Sequence, residues 1–357
     1  MRDLGAIWKS DPGSAHWRFF GVPLVENGNL GRKMSSARRD RDFQRSRMNG
    51  VVVIDKPSGP TSRDVVEEVK QALGVRKAGH TGTLDPLATG VLPVCINEAT
   101  KLVQFLALDS KEYRATLLLG VRTDTLDTEG IVLTREEPRV TREQVEAALN
   151  GLTGRREQVP PRYSAVKVRG KALYDWTRRG IDVETPAREV EIYDIRIEEI
   201  HLPEVTFAVS CSKGAYIRSL CAEAGETLGC GGCMSALRRT RSGNFREETA
   251  VTLEGLTGEE KRERLAAYLL PLSELLPDLA VIDVDPPLAE RLRNGYQPDG
   301  EVLTRYHIPF LVAGDVIKIT VNDKHLVAVA RMLCASDELA SRGEKRQAVK
   351  ILRVLND

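Results

Sequence analysis

The segment AGHTGTLDPLATGVLPV, at residues 78–94, places the strongest local constraint on the fold. Gly82 and Pro86 flank Asp85, and such positions do not hold a helix, because glycine costs backbone entropy and proline lacks the amide donor. The apolar run at 91–96 is typical of a short buried strand. The sequence therefore predicts a shaped loop that runs directly into a sheet core and leaves the carboxylate of Asp85 little freedom.

The length of 357 residues suggests two or three domains. The chain carries 52 lysines and arginines against 51 aspartates and glutamates, a net charge of +1. Overall charge therefore does not indicate a nucleic-acid partner, and an argument for RNA must come from local clusters of basic residues.

Targeting and redox features of the sequence favour a cytoplasmic protein. No apolar run approaches a membrane span, and the first thirty residues lack the apolar core and the cleavage site of a signal peptide. The six cysteines are expected to be reduced thiols, because disulfide frameworks belong to short secreted chains. Cys230 and Cys233 form a C-x-x-C pair, but no second pair follows at a zinc-site spacing, so we expect no metal.

The hydrophobic pattern from Met48 onward predicts an α+β fold with a mixed sheet. Apolar positions along 64–73 form one face of a helix that ends at Gly74, and Thr61 with Asp64 matches a capping pair at its start. The other predicted elements are strands at 91–96, 113–119, 193–197 and 205–211, and helices at 142–150 and 217–228.

The composition of the chain and its pattern of apolar residues and turns divide it into four segments. Residues 1–47 show no hydrophobic period and 32–47 are strongly basic, so we expect a disordered basic arm or a mis-assigned start. A main domain at 48–253 and a connecting segment at 254–279 come next. Short strands and turns then indicate a small β-rich domain at 280–357.

Five motifs, taken together, resemble the bacterial tRNA pseudouridine-55 synthase (TruB) family. In chain order they are KPSGPTS at 56–62, GHTGTLDPLATGVLPV at 79–94, KEYRATLLLGVRTDTLDTEG at 111–130, PPRYSAVKVRGKALYDWTRRG at 160–180, and SKGAYIRSLCAEAGETLGCGG at 212–232, which is followed by LRRTRSG. The resemblance covers residues 48–245, and 280–357 resemble the PUA RNA-binding module. It implies a mainly antiparallel pseudouridine synthase sheet with flanking helices and a small β-rich PUA-like domain.

The resemblance implies an isomerase that converts a uridine in the T arm of tRNA, at position 55, into pseudouridine. The N1 glycosidic bond breaks, the uracil turns, and C5 is joined to C1′, by a monomer that needs no cofactor. Asp85 takes the role of the catalytic carboxylate. It either attacks C1′ or abstracts a sugar proton, and the sequence leaves both routes open. Without the motif, an Asp before Pro is more often a loop cap.

Three further roles come from matching positions. Arg218 matches the arginine that pairs with the catalytic carboxylate, for which a guanidinium can supply two parallel hydrogen bonds. Tyr113 matches the tyrosine that packs on the target base. His80 matches the histidine that stacks within the RNA loop once the base has been extruded. The alternatives are a surface arginine, a strand aromatic and a turn histidine.

Lys56, Tyr216 and Asp127 also match recurring positions. Lys56 and Tyr216 are expected to shape the wall of the pocket. Asp127 is expected to organise the neighbouring loops.

Residues 155–190 are predicted to be an insertion that grips RNA. Its part at 160–188 carries seven lysines and arginines against three acidic residues, with Tyr163, Tyr174 and Trp176 interleaved. A solvated helix face explains the charge but not the aromatic residues. The residues predicted to contact phosphates are Arg169, Lys171, Arg178 and Arg179.

Three alternative functions stay open. A guide-RNA-dependent synthase subunit would share the loop of Asp85 and the PUA-like tail, but such relatives typically lack the stretch at 163–180. A non-catalytic RNA-binding or RNA-folding protein would not require Asp85 and Arg218 together. A glycoside hydrolase would need a second carboxylate about the scissile bond, which the motif does not offer.

Overall fold

The apolar run that begins at Gly50 forms a strand whose residues 51–54 are almost completely buried, as expected of a strand covered on both faces. In the computed structural model, the described residues are 48–107, 110–341 and 346–356. The extension predicted at residues 1–47 lies outside them.

The strands of the described residues, in chain order, are β1 Gly50–Lys56, β2 Ala78–His80, β3 Thr89–Ile96, β4 Lys111–Leu119, β5 Val121–Thr123, β6 Val132–Arg135, β7 Gly154–Gln158, β8 Lys167–Val168, β9 Lys171–Ala172, β10 Arg188–His201, β11 Glu204–Cys211, β12 Gly232–Ser242, β13 Phe245–Arg246, β14 Leu270–Pro271, β15 Ala280–Val284, β16 Val316–Val321, β17 His325–Met332 and β18 Val349–Val354.

The α-helices are α1 Ser62–Leu73, α2 Val103–Leu106, α3 Arg142–Asn150, α4 Leu173–Thr177, α5 Ile217–Thr227, α6 Gly258–Ala267, α7 Pro286–Arg293 and α8 Gly300–Leu303. Short 3-10 helices lie at Asn97–Leu102, Glu247–Thr249, Leu272–Glu274 and Ser336–Glu338. None of the helices among the described residues combines the length and the apolar character needed to cross a bilayer.

The main sheet has the strand order β14-β1-β3-β12-β4-β11-β10-β7, with β2 paired to β3 and β13 paired to β12. Within its described strands, β3 and β12 form the one parallel pair, and the other neighbours are antiparallel. The prediction of a mixed, mainly antiparallel sheet is confirmed. The parallel pair is important for the position of Asp85, because β3 follows the loop of Asp85 and β12 lies between β3 and β4.

Local sequence signals predicted the helix starts and several strand positions well. Thr61 and Asp64 form the predicted capping box, and Gly74 ends α1 with a left-handed φ of 64°. The observed strands β3, β4 and β11 begin one or two residues before the predicted ones. The strand β10 is much longer than predicted, since its exposed polar residues are stabilised by pairing with β7 and β11 rather than by burial.

Residues from Ala280 onward form a separate four-stranded sheet, ordered β15-β16-β17-β18, with its own apolar core. Leu326 and Val329 on β17 belong instead to a third core cluster, together with Val51 and Leu272. The smaller sheet therefore packs against the main one.

Five of the six cysteines belong to the three core clusters. All six are free and buried, and burial raises the pKa of Cys95 to about 12. The thiol of Cys95 is therefore protonated at neutral pH. No cluster of three or more potential metal ligands occurs within the described residues.

Candidate active site

The loop that carries Asp85 is held from both sides by the motif at 56–62. On the near side, the hydroxyl of Ser62, the first residue of α1, donates to the carbonyl of Leu84 at 2.9 Å and accepts from its amide at 2.8 Å. On the far side, the amide of Gly59 donates to the carbonyl of Pro86 at 2.9 Å. These bonds fix the backbone on either side of Asp85, and the predicted shaped loop is therefore anchored to β1 and α1.

Lys56 strengthens the same anchorage. Its side chain is completely buried, and its ammonium group donates to the carbonyls of Pro57, Pro86 and Ala88 at 2.9, 3.1 and 2.7 Å. Lys56 does not lie on the pocket surface, so the prediction that it shapes the pocket wall is corrected. Lys56 instead stabilises the turn that follows Asp85 through the carbonyls of Pro86 and Ala88.

Burial lowers the pKa of Lys56 to about 8, against the attraction of Asp85, which raises it. Because this pKa lies below the ordinary value of 10.5, the folded protein releases the proton before the unfolded chain does as the pH rises. The free energy of unfolding of the wild type should therefore increase, relative to that of Lys56→Met, by about 1–2 kcal/mol between pH 8 and pH 9.5.

Urea unfolding of both proteins across this pH range measures the difference. The exposed Lys324 supplies the control, since wild type and Lys324→Met should keep a constant difference. If wild type and Lys56→Met also show parallel pH profiles, Lys56 does not titrate as the buried contacts imply.

Asp85 and Arg218 are brought together by the packing of the loop against the first turn of α5. The Nε atom of Arg218 lies 2.9 Å from Oδ2 of Asp85. The carboxylate is about one third exposed, whereas the arginine side chain is 4% exposed. The ion pair therefore has one open side, which faces the pocket.

The remaining nitrogens of Arg218 are used elsewhere. They donate to the carbonyl of Thr125 at 2.8 Å and to that of Tyr163 at 2.9 Å. Asp127 lies 3.6 Å away from the guanidinium, and its other oxygen accepts from the Thr125 hydroxyl at 2.6 Å. The contact with Asp85 is thus an ion pair through Nε, which makes no hydrogen bond of good geometry, rather than the two parallel hydrogen bonds that a guanidinium can supply.

Burial raises the pKa of Asp85 above its ordinary value, and the nearby charge of Asp127 raises it further. Arg218 and, more weakly, Lys56 oppose this shift. The site therefore holds a carboxylate that is poorly solvated and kept ionised mainly by one guanidinium, which is a reactive arrangement rather than a stabilising one.

The open side of Asp85 faces a pocket of about 270 Å³. Tyr113 on β4 and Tyr216, which precedes α5, both line it. Gln158 positions Tyr216, since its side-chain amide accepts from the Tyr216 amide at 2.7 Å and donates to the Tyr216 carbonyl at 3.1 Å. Burial raises the pKa of both tyrosines, so their hydroxyls are neutral near pH 7.

His80, the last residue of β2, lies next to this pocket. It is half-buried, and its Nδ1 atom is buried without a hydrogen-bond partner. Burial and, to a smaller extent, the charge of Arg239 lower its pKa, so the imidazole is neutral at pH 7. The predicted contact with RNA stays a prediction.

The insertion forms the hairpin β8–β9 and the helix α4. Lys171 lies 5.1 Å from the ring centre of Trp176, and Arg178 lies 5.4 Å from that of Tyr174. The indole nitrogen of Trp176 also donates to the carbonyl of Val168 at 3.0 Å. Contacts within the insertion therefore account for these two aromatic residues, which the sequence pattern alone did not explain.

A buried arginine of the pocket, Arg239, was not singled out in the sequence analysis. Arg239 on β12 is 1% exposed and lines the pocket, and it pairs in register with Tyr113. The motif LRRTRSG contained it, but three arginines in five residues do not reveal which one is buried.

Comparison with family models gives two adjoining matches. The N-terminal domain model of the TruB family of pseudouridylate synthases matches residues 70–217. The C-terminal domain model of tRNA pseudouridylate synthase B matches residues 218–277. The PUA-like character of 280–357 stays a prediction.

Curated relatives match nearly the whole described chain. A protein named tRNA pseudouridine synthase B from Syntrophus aciditrophicus (strain SB) is 56% identical over 310 residues, which are 87% of this chain and 99% of the relative. A protein of the same name from Geobacter sulfurreducens is 42% identical over 310 residues, 87% of this chain and 100% of the relative.

Solved structures agree with the fold. The crystal structure of a Cbf5-Nop10-Gar1 complex contains a chain that is 30% identical with a TM-score of 0.65, covering 88% of this chain and 86% of that one. A structure of an H/ACA RNP bound to a substrate RNA containing 2′-deoxyuridine gives 27% identity and a TM-score of 0.64, with coverage of 88% and 87%. The predicted fold class is confirmed, and the chain belongs to the TruB family of pseudouridylate synthases.

Proposed function

We propose that this pseudouridine synthase isomerises a uridine in the T arm of tRNA, at position 55, with Asp85 as the catalytic carboxylate. The observation that carries the proposal is the contact of 2.9 Å between Asp85 and Arg218 at the wall of a pocket, with the carboxylate one third open to it. The names of the relatives from Syntrophus and Geobacter support tRNA as the substrate.

We expect the target nucleotide to leave its stack so that its base can enter the pocket of about 270 Å³ beside Asp85. Tyr113 offers the extruded base an aromatic face. The C1′–N1 bond then breaks with its electron pair on uracil. Asp85 either bonds to C1′ or takes a proton from C2′. After the base turns, C5 bonds to C1′ while the Asp85–C1′ bond breaks or C2′ regains its proton. The proton on C5 then leaves, and N1 gains a proton.

The product has the same composition and oxidation level as the uridine, so no redox partner or group donor is required. Arg218 holds the carboxylate ionised for the first step. Asp127 and the carbonyls of Thr125 and Tyr163 hold Arg218 in turn. Because Tyr163 belongs to the insertion, the surface proposed to grip RNA is connected directly to the ion pair.

Arg169 and Arg179 test the RNA surface most cleanly, since Lys171 and Arg178 also cover aromatic rings of the insertion. The double substitution Arg169→Gln/Arg179→Gln should weaken RNA binding. If both arginines bind phosphates, it should also flatten the slope of log affinity against log salt by about 1.4–1.8, because each phosphate that is no longer neutralised reduces the slope by about 0.7–0.9.

Filter binding of a T-arm stem-loop at several salt concentrations measures this slope. Arg142→Gln is the control, because Arg142 is exposed on α3 and pairs with Glu146 of the same helix. An unchanged slope in the double variant would place the RNA surface elsewhere.

A guide-RNA-dependent synthase is the second candidate, because the similar solved chains belong to a Cbf5-Nop10-Gar1 complex and an H/ACA RNP. The stretch at 163–180 favours a protein that acts alone, and we propose that it does so as a cytoplasmic monomer without a cofactor.

An unmodified tRNA transcript distinguishes these candidates. The purified chain is incubated with the transcript alone, and pseudouridine is mapped along the RNA. We expect modification at position 55, and none in a transcript with cytidine at that position. Modification that requires an added guide RNA, or that occurs only at other uridines, would refute the proposal.

A further inference from the structure

The pocket of Asp85 is lined by a second buried arginine, Arg239, whose charge is not neutralised by a neighbouring carboxylate. Its Nε donates to the carbonyl of Val91 at 2.7 Å, and its terminal nitrogens donate to those of Gly82 and Thr83 at 3.1 and 3.4 Å. Within the part of the chain that the structure describes, no carboxylate oxygen lies within the 4.0 Å of an ion pair with it.

The adjacent arginine shows how unusual this is. Arg238 donates to both carboxylate oxygens of Asp55 at 3.0 Å and to Glu247 at 2.7 Å, and it is about one third exposed. Arg218 faces Asp85 and Asp127. Arg239 is buried more deeply than either, yet among the described residues its partners are three backbone carbonyls and the neutral side chain of Tyr113. A buried, uncompensated cation is costly for folding, so a purely structural role explains it poorly.

The fold fixes the position of Arg239 from two directions. Its backbone pairs with Gly90 of β3, where an added Cβ atom would lie 2.3 Å from the carbonyl oxygen of Arg239. Its side chain reaches across β3 to Gly82 and Thr83, which are two of the residues that lead into Asp85. The guanidinium is therefore locked between β12 and the loop of Asp85.

The surrounding groups experience this charge. After burial, Arg239 is the second cause that lowers the pKa of His80. It also opposes the increase that burial causes in the pKa of Tyr113. The positive charge thus extends to the pocket wall on which the target base would pack.

The chemistry supplies a use for such a charge. Whether Asp85 attacks C1′ or takes the proton from C2′, the C1′–N1 bond breaks with its electron pair on uracil. The negative charge moves from the Asp85 carboxylate, which becomes an ester or an acid, to the detached base. Arg218 contacts Asp85, from which the negative charge departs. Arg239 lines the pocket in which the negatively charged uracil would lie.

We propose that Arg239 supplies the fixed positive charge that stabilises the uracil anion during the isomerisation, and that it also holds the loop of Asp85 in place. The inference rests on the proposed function. A preorganised charge aimed at a developing anion acts on the chemical step and leaves the affinity for the RNA almost unchanged.

The test compares Arg239→Gln, which keeps hydrogen-bond donors but loses the charge, with Arg239→Lys, which keeps the charge but loses the planar group. Single-turnover pseudouridine formation on the T-arm stem-loop gives the rate constant, and filter binding gives the dissociation constant. We expect Arg239→Gln to lose about 100-fold in rate and Arg239→Lys about 10-fold, with dissociation constants within about 3-fold of the wild type.

Arg238→Gln is the matched control on the same strand, and it should keep the wild-type rate, since its partners Asp55 and Glu247 lie outside the pocket. Each rate is divided by the folded fraction from circular dichroism, at a temperature where the variant is folded. Equal losses of rate in Arg239→Gln and Arg239→Lys would show that Arg239 only holds the loop in place and would overturn the role of its charge. A rate of Arg239→Gln within 3-fold of the wild-type rate would overturn that role as well. An inactive wild type would instead refute the proposed function itself.

Discussion

Asp85→Asn should lose at least about 10,000-fold in pseudouridine formation on a T-arm stem-loop, the range expected when the group that reacts is removed. The amide is nearly isosteric, but it can neither bond to C1′ nor accept a proton from C2′. RNA binding should stay within about 3-fold, because the carboxylate acts on bond breaking and most of the RNA contacts lie elsewhere.

Nucleoside analysis of the digested RNA measures the activity of this variant, and filter binding measures its affinity. Asp323→Asn is the control, since Asp323 lies in a turn of the C-terminal sheet with a φ of 56°, a conformation that asparagine adopts as readily. Turnover by Asp85→Asn within 10-fold of the wild type would remove Asp85 from the chemistry.

Arg218→Met should lose about 1,000-fold in rate at pH 7, at the upper end of what one preorganised charge contributes. Its guanidinium lowers the pKa of Asp85 against the effects of burial and of Asp127, so its loss raises that pKa further. A smaller fraction of the carboxyl is then ionised at a given pH. The acid limb of the pH–rate profile should move to higher pH, and the loss of activity should be larger at pH 6 than at pH 9.

The shift of the pH profile separates this role from simple unfolding, which would leave the rate unchanged at each pH after correction for the folded fraction. Arg218→Met should also be less stable, because the carbonyls of Thr125 and Tyr163 lose a buried donor. Arg122→Met is the control, since Arg122 pairs with Glu226 near the other end of α5. A parallel pH profile in Arg218→Met would contradict the account.

The helix starts and the buried strands could be predicted because their signals are local. The capping box of Thr61 and Asp64, and the apolar run of β3, need only neighbouring residues. The pairing of Asp85 with Arg218 was available only through the family resemblance, since the two residues are far apart in the chain and nothing in their local patterns connects them.

The roles of Lys56 and Arg239 could not be predicted from the sequence for a physical reason. Both depend on where a long side chain reaches after the sheet has formed. Arg239 meets Gly82 and Thr83 because β12 pairs in parallel with β3 in one register, and a shift by one residue would send its side chain to the opposite face. Local patterns of arginine and lysine residues carry no information about that register.

Tritium release from a T-arm stem-loop that carries tritium on C5 of its target uridine measures the isomerisation and its dependence on Asp85. The purified chain is added without guide RNA or other protein, in excess over the RNA, and Asp85→Asn is assayed in parallel. We expect release of one tritium per RNA by the wild type and none by Asp85→Asn over the same time. No release by the folded, RNA-bound wild type, or release by Asp85→Asn at the wild-type rate, would contradict it.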